Sequence, residues 1–173
     1  FYRLAGSPET AYTNQFQDVS SDSWFARSVA WASSSGIASG TGSNTFSPSS
    51  KITNEQLATM IDNYVHYVGV ELLTAENPVS GLKDTWYVSE YAIDGVQLVW
   101  RAGIMNGDSQ HNFGPQKTVS RADAAVIFMR LSKALAGEQL TVSVRNTTPD
   151  YSALSNAEKE AQALEVAKQI AST

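Results

Sequence analysis

Residues 36–53 and 103–120 of this 173-residue chain are two copies of one segment, and no other feature constrains the fold as strongly. The first reads G-I-A-S-G-T-G-S-N-T-F-S-P-S-S-K-I-T and the second G-I-M-N-G-D-S-Q-H-N-F-G-P-Q-K-T-V-S. Gly36, Ile37, Gly40, Phe46 and Pro48 return as Gly103, Ile104, Gly107, Phe113 and Pro115, each 67 residues on and without a gap. Such a chain builds like units that bury their apolar faces against each other.

The flanks of each copy repeat as well. Leu57, Met60, Ile61, Tyr64, Val65 and Val68 recur with helical period and form one apolar stripe. Ala124, Ile127, Phe128, Leu131 and Leu135 occupy the same stripe in the second copy. Thr53-Asn54-Glu55-Gln56 has the spacing of a capping box, in which hydroxyl and amide satisfy reciprocal backbone donors. Ser120-Arg121-Ala122-Asp123 is a weaker counterpart, with Asp in the acceptor place. Before each copy a shorter helix is predicted, carrying Phe25, Val29 and Ala32 in one unit and Val96 and Val99 in the other. These helices end at Gly36 and Gly103 in left-handed caps. Each unit therefore reads as loop, short helix, Gly-rich turn with Phe-x-Pro, and a longer capped helix.

Boundaries follow from this pattern. Residues 9–70 and 71–137 are the two units, and residues 1–8 are expected to be the end of a preceding one, because Phe1-Tyr2-Arg3-Leu4 parallels Phe128-Met129-Arg130-Leu131. Residues 138–173 read as a linker and the start of a downstream region. A short strand is expected over Leu140–Val144, and Ser155-Asn156-Ala157-Glu158 opens a further helix.

Composition narrows the function. Charged residues are only 17%, below the usual quarter, and the polar surface falls to hydroxyls: 22 Ser and 13 Thr. A net charge of −5 argues against a nucleic-acid partner, which calls for a basic stripe. With no cysteine there is no thiolate zinc site and no thiol nucleophile. No apolar run reaches the ~18 residues a membrane span needs. The two histidines, His66 and His111, have no matched Ser and Asp for a triad. Asn106-Gly107-Asp108-Ser109 has part of a calcium loop, but lacks its further acidic ligands. Neither metal nor cofactor is expected, and the units are read as non-catalytic.

The series Phe16-Gln17-Asp18-Val19, Trp24, Gly36-Ile37-Ala38-Ser39-Gly40, Phe46-Ser47-Pro48 and Ile52-Thr53-Asn54-Glu55-Gln56 resembles the S-layer homology domain over roughly residues 1–136. The resemblance implies an all-α fold: tandem helix-loop-helix units in a pseudo-threefold array around a central helical bundle, with the first unit mostly missing. It also implies an extracellular module that anchors non-covalently to the bacterial cell wall. The implied partner is an anionic secondary cell-wall polysaccharide, ending in a pyruvylated amino sugar and held in grooves between units.

The family's functional marker is Thr-Arg-Ala-Glu at the start of the longer helix. Ser120-Arg121-Ala122-Asp123 keeps the arginine, whose guanidinium suits a carboxylate at a helix N-terminus. Thr53-Asn54 departs from the marker, since Asn54 brings no charge, and its groove is expected to be degenerate or tuned to a neutral sugar. Trp24 either stacks on a sugar or fills the core, and the resemblance favours the ligand; Trp86 lies near the second loop, where lining a groove is the less favoured reading. Gly40 and Gly107 supply turns needing positive φ, with backbone N–H groups that also reach a ligand. Asp18 and Asp84 can bond sugar hydroxyls, but are read rather as caps of the short helices or ties within their own loops. Two rivals stand beside wall anchoring: a spacer or protein-interaction array without glycan binding, and the anchoring arm of an enzyme whose catalytic domain lies beyond residue 150.

Overall fold

The computed structural model describes residues 1–11, 13, 15–75 and 81–140. Within them lie four α-helices: α1 (Ala26–Ser34), α2 (Asn54–Val68), α3 (Ile93–Arg101) and α4 (Arg121–Leu135). Two 3-10 turns, Thr85–Tyr87 and Glu90–Ala92, lead into α3. No sheet forms among the described residues, which makes the fold all-α. The helix expected from Ser155 lies outside them, as does all but the first residue of the strand expected at Leu140.

Both long helices begin where their chemistry says. The Thr53 hydroxyl accepts from the Gln56 amide while the Gln56 side chain accepts from Thr53 N–H, so the capping box is complete. Ser120 and Asp123 make the same reciprocal pair, the shorter Asp sufficing. The ends are equally regular. Gly36 and Gly103 take φ of 72° and 70°, and the residue after each, Ile37 or Ile104, donates back to Ala32 or Val99. This is the Schellman arrangement, and Gly137 repeats it after α4. Residues 1–5 form one helical turn closed the same way, with Gly6 at φ 78° and Ser7 donating to Tyr2.

One apolar core runs through both repeats. Leu57, Ile61, Tyr64 and Val65 of α2 are buried against Val96 and Val99 of α3 and the isoleucines 37 and 104. Each such aliphatic side chain contributes about 1.5–3 kcal/mol over its exposed state. α2 and α3 cross so closely that a Cβ on Gly95 would sit 2.8 Å from the Ala58 carbonyl oxygen. Phe1 wedges between Tyr64 of α2 and Phe128 of α4, with ring centroids 5.1 and 5.0 Å away. Trp31 and Trp100 are both buried. A smaller cluster of Phe16, Val19, Ala26 and Val29 lies under the first loop.

The loops repeat as faithfully as the helices. In the first unit the Asp18 carboxylate accepts from the amides of Phe46 and Ser47 at 2.9 and 2.7 Å. In the second, Asp84 accepts from Phe113 and Gly114 at 2.8 and 2.7 Å. Each aspartate thus ties its loop to the Phe-x-Pro turn of its own unit, across about thirty residues of chain. The Phe46 hydrogen bond holds the Asp18 carboxyl below its ordinary pKa, against the upward push of burial.

Gly40 and Gly107 take φ of 82° and 67° as the turns require. A Cβ on Gly107 would meet the Asn112 carbonyl oxygen at 2.6 Å. Gly107→Ala combines that clash with left-handed strain, and is expected to cost about 2–3 kcal/mol. Urea unfolding checks this; a midpoint unchanged from wild type contradicts the fixed turn.

Candidate functional site

The two repeats meet at the N-terminus of α2. Thr53 pairs with Thr118 in an isolated antiparallel bridge. Around it, Asn54 N–H donates to the Lys117 carbonyl at 2.9 Å and Val119 N–H to Ile52 at 3.0 Å. The Asn54 side-chain amide donates to the Phe113 and Gly114 carbonyls at 3.0 and 3.1 Å. The residue in the place of the family's arginine is therefore a stitch between repeats, with its donors committed.

Glu55 is the second fastening, and only 3% of it is exposed. Its carboxylate accepts from Ser89 N–H and hydroxyl (both 2.9 Å), Tyr91 hydroxyl (3.1 Å) and Gln116 amide (2.8 Å). All four donors belong to the second repeat. Burial pushes the carboxyl pKa up, but these hydrogen bonds outweigh it and leave the group below the ordinary 4.5. The same carboxylate, together with burial, raises the Tyr91 phenol.

Beside this junction opens a cleft of about 140 Å³. That is far more than the roughly 15 Å³ one water requires. Asn54 forms one edge and the loop Met105–Asp108 another, with Phe113 and Gly114 behind. The fourth wall is a face of α4, where Asp123, Val126, Ile127 and Arg130 follow each other at helical spacing. Burial lowers the Arg130 guanidinium from its usual value. Asp108 is occupied with its own loop, accepting from the amides of Gln110 and Asn112 at 2.9 Å each.

Of the residues nominated from sequence, the cleft brings together Asn54, Gly107 and Asp123, with Thr53 capping the adjacent helix. Ser120 caps α4, and Arg121 stands exposed at its first position, outside the cleft wall and with no hydrogen bond or ion pair among the described residues. Gly40 serves the first-unit turn away from the cleft. Trp24 and Trp86 do not line the cleft either; they are 87% and 72% exposed, each against its neighbouring aromatic ring. Asn106, Arg130, Lys117 and Glu55 were not nominated as site residues. Arg130 had a readable signal: it lies seven residues past Asp123, on the same helical face.

Fold and cleft together define a helical tandem-repeat module with a cleft where two repeats join. Residues 15–58 and 88–125 match the S-layer homology domain, and the chain belongs to that family. Among similar proteins, an exoglucanase, XynX, of Acetivibrio thermocellus is 30% identical over 75% of this chain and 12% of its own length. An amylopullulanase of Thermoanaerobacterium thermosulfurigenes is 29% identical over 75% of the chain and 7% of itself. The surface-layer 125 kDa protein of Lysinibacillus sphaericus is 49% identical over 27% of the chain and 4% of itself. The chain thus spans only a small part of the relatives it matches. No solved structure matches it. The module belongs at the bacterial cell surface, where it serves as an anchor. No helix among the described residues is long and apolar enough to cross a membrane.

Proposed function

We propose that the chain anchors by reversible, non-covalent binding of an anionic cell-wall polysaccharide at the junctions between repeats, taken as residues 9–70 and 71–137. The observation that carries this reading is the inter-repeat cleft, with polar groups on its rim and apolar side chains between them. Arg121 supplies the charged contact. It is exposed at a helix N-terminus, where backbone donors and the helix dipole reinforce a guanidinium facing a carboxylate. Wall binding with this chemistry is electrostatic in part, so added salt weakens it.

Sedimentation with purified cell-wall sacculi tests the proposal. The protein is expected to pellet with intact sacculi and to remain soluble once the polysaccharide has been stripped with acid. Retention that survives stripping contradicts it. Arg121→Ala is expected to lower apparent affinity about tenfold or more, the effect of losing one charge-assisted hydrogen bond. Unchanged retention removes Arg121 from the site.

A second reading concerns the parent protein: the module as the wall-binding arm of an enzyme. It is favoured by relatives named as an exoglucanase and an amylopullulanase, each aligned over three-quarters of this chain.

A further inference from the structure

We infer that the cleft beside Asn54 takes a sugar carboxylate through Arg130, Lys117 and the Asn106 amide, so that charge recognition stands on the cleft walls and not at the start of α2. The inference rests on the anchoring reading above and adds a second carboxylate contact to that of Arg121. It departs from the expectation that a neutral Asn54 leaves this groove degenerate or tuned to a neutral sugar. Asn106 lines the cleft at 6% exposure, and the part of it shut away without a partner is its Oδ1. What it turns to the cleft is therefore its amide nitrogen, which makes no hydrogen bond among the described residues and can only donate. A donor in that setting calls for an acceptor on the ligand.

The charged groups of the wall agree. Lys117 stands exposed at the rim and takes no part in the ion pairs among the described residues. A Cβ on Gly114 would meet the Lys117 stem at 3.4 Å and the Asn54 amide nitrogen at 3.7 Å. The second repeat thus brings a cation to the ground that Asn54 leaves neutral. Arg130 comes to the same cleft from α4, half-buried, with five N–H donors in a planar fork that matches a carboxylate. Partial burial strengthens its attraction for an anion. The acids of the wall are engaged elsewhere. Asp123 accepts from the Ser120 amide and hydroxyl at 3.0 and 2.7 Å, and Asp108 from Gln110 and Asn112 of its own loop. Formal charges in the wall cancel, so the attraction is one of contact: an acceptor reaching between Arg130, Lys117 and Asn106 meets donors.

Calorimetric titration with polysaccharide released from the same sacculi, native and carboxyl-reduced, tests this, with urea midpoints as the check on folding. Wild type is expected to bind the native polymer about tenfold or more tighter than the reduced one. In Arg121→Ala, which lacks the cation at the start of α4, that preference should persist. Arg130→Gln and Lys117→Gln should weaken native binding about tenfold and about threefold, the half-buried fork counting for more than the exposed ammonium. Both should leave binding of the reduced polymer unchanged. Asn106→Leu removes the donor together with the unpartnered oxygen, so it should weaken native binding without lowering the urea midpoint. Lys117 is exposed, so its variant reads the site even if Arg130→Gln fails to fold. If the preference vanishes in Arg121→Ala alone, or survives Lys117→Gln and Asn106→Leu undiminished, the inference is overturned and anchoring stands. Equal binding of both polymers by wild type overturns it as well. If wild type binds neither, the anchoring reading fails and this one with it.

Discussion

Glu55→Ala is expected to lower the stability of the paired repeats by about 3 kcal/mol or more, the largest single effect at the junction. The substitution removes the acceptor for four donors of the second repeat, among them the half-buried Ser89 amide, and leaves a cavity where the buried carboxylate stood. For a domain of this size the loss is about 10 °C in melting temperature. Glu55→Gln keeps an acceptor but loses the charge, and should cost about half as much. Because the folded carboxyl pKa lies below the ordinary value, this stabilisation is fully present above the unfolded glutamate's pKa. It is lost as pH falls through the folded pKa, so acid unfolding of wild type should be steeper below pH 4.5 than that of Glu55→Ala. Urea midpoints measured across that range decide the matter. A loss under 1 kcal/mol at neutral pH contradicts the fastening described here.

Asp84→Ala should have a comparable effect for a different reason. Its carboxylate holds the amides of Phe113 and Gly114, and Phe113 is 3% exposed, so a buried N–H is left without an acceptor. Two charge-assisted hydrogen bonds of this kind are together worth about 3 kcal/mol. The damage then travels, because the carbonyls of Phe113 and Gly114 are the acceptors of Asn54. Loosening the turn therefore undoes the stitch between repeats and deforms the cleft wall. Asp18→Ala, at the equivalent place in the first unit, frees a half-buried turn to which Asn54 does not bond, and should cost less. Equal losses from the two aspartates contradict a second-unit turn that serves the junction.

Much of this architecture could be read before any coordinates. The capping boxes, the glycine stops and the apolar stripes are local chemistry, expressed within four or five residues, and all four helices follow from them. The inter-unit contacts are of another kind. Glu55 has no role of its own in the capping-box spelling Thr53-Asn54-Glu55-Gln56. Its burial depends on Ser89, Tyr91 and Gln116 arriving from a unit about 34–61 residues away. Asn54 looked like a lost arginine, because only the folded chain reveals the two carbonyls it binds. The cleft was partly legible for the same reason: the Gly-rich loop and Asp123 carried a motif, while Arg130 and Asn106 acquire meaning only from the walls they face.

The junction also has a direction, and this fixes the order of the units. Glu55 stands on the first long helix, and the donors it accepts from stand on the second unit. At the matching positions, 67 residues away, the second long helix carries Ala122, and the first unit carries Asp22, Trp24 and Ser49. Exchange the two units in the chain and Ala122 would stand at the junction where Glu55 now accepts four hydrogen bonds. The repeats are alike in shape but not interchangeable in place. A gene rearrangement that shuffled them would preserve every helix and still lose the fastening that joins them.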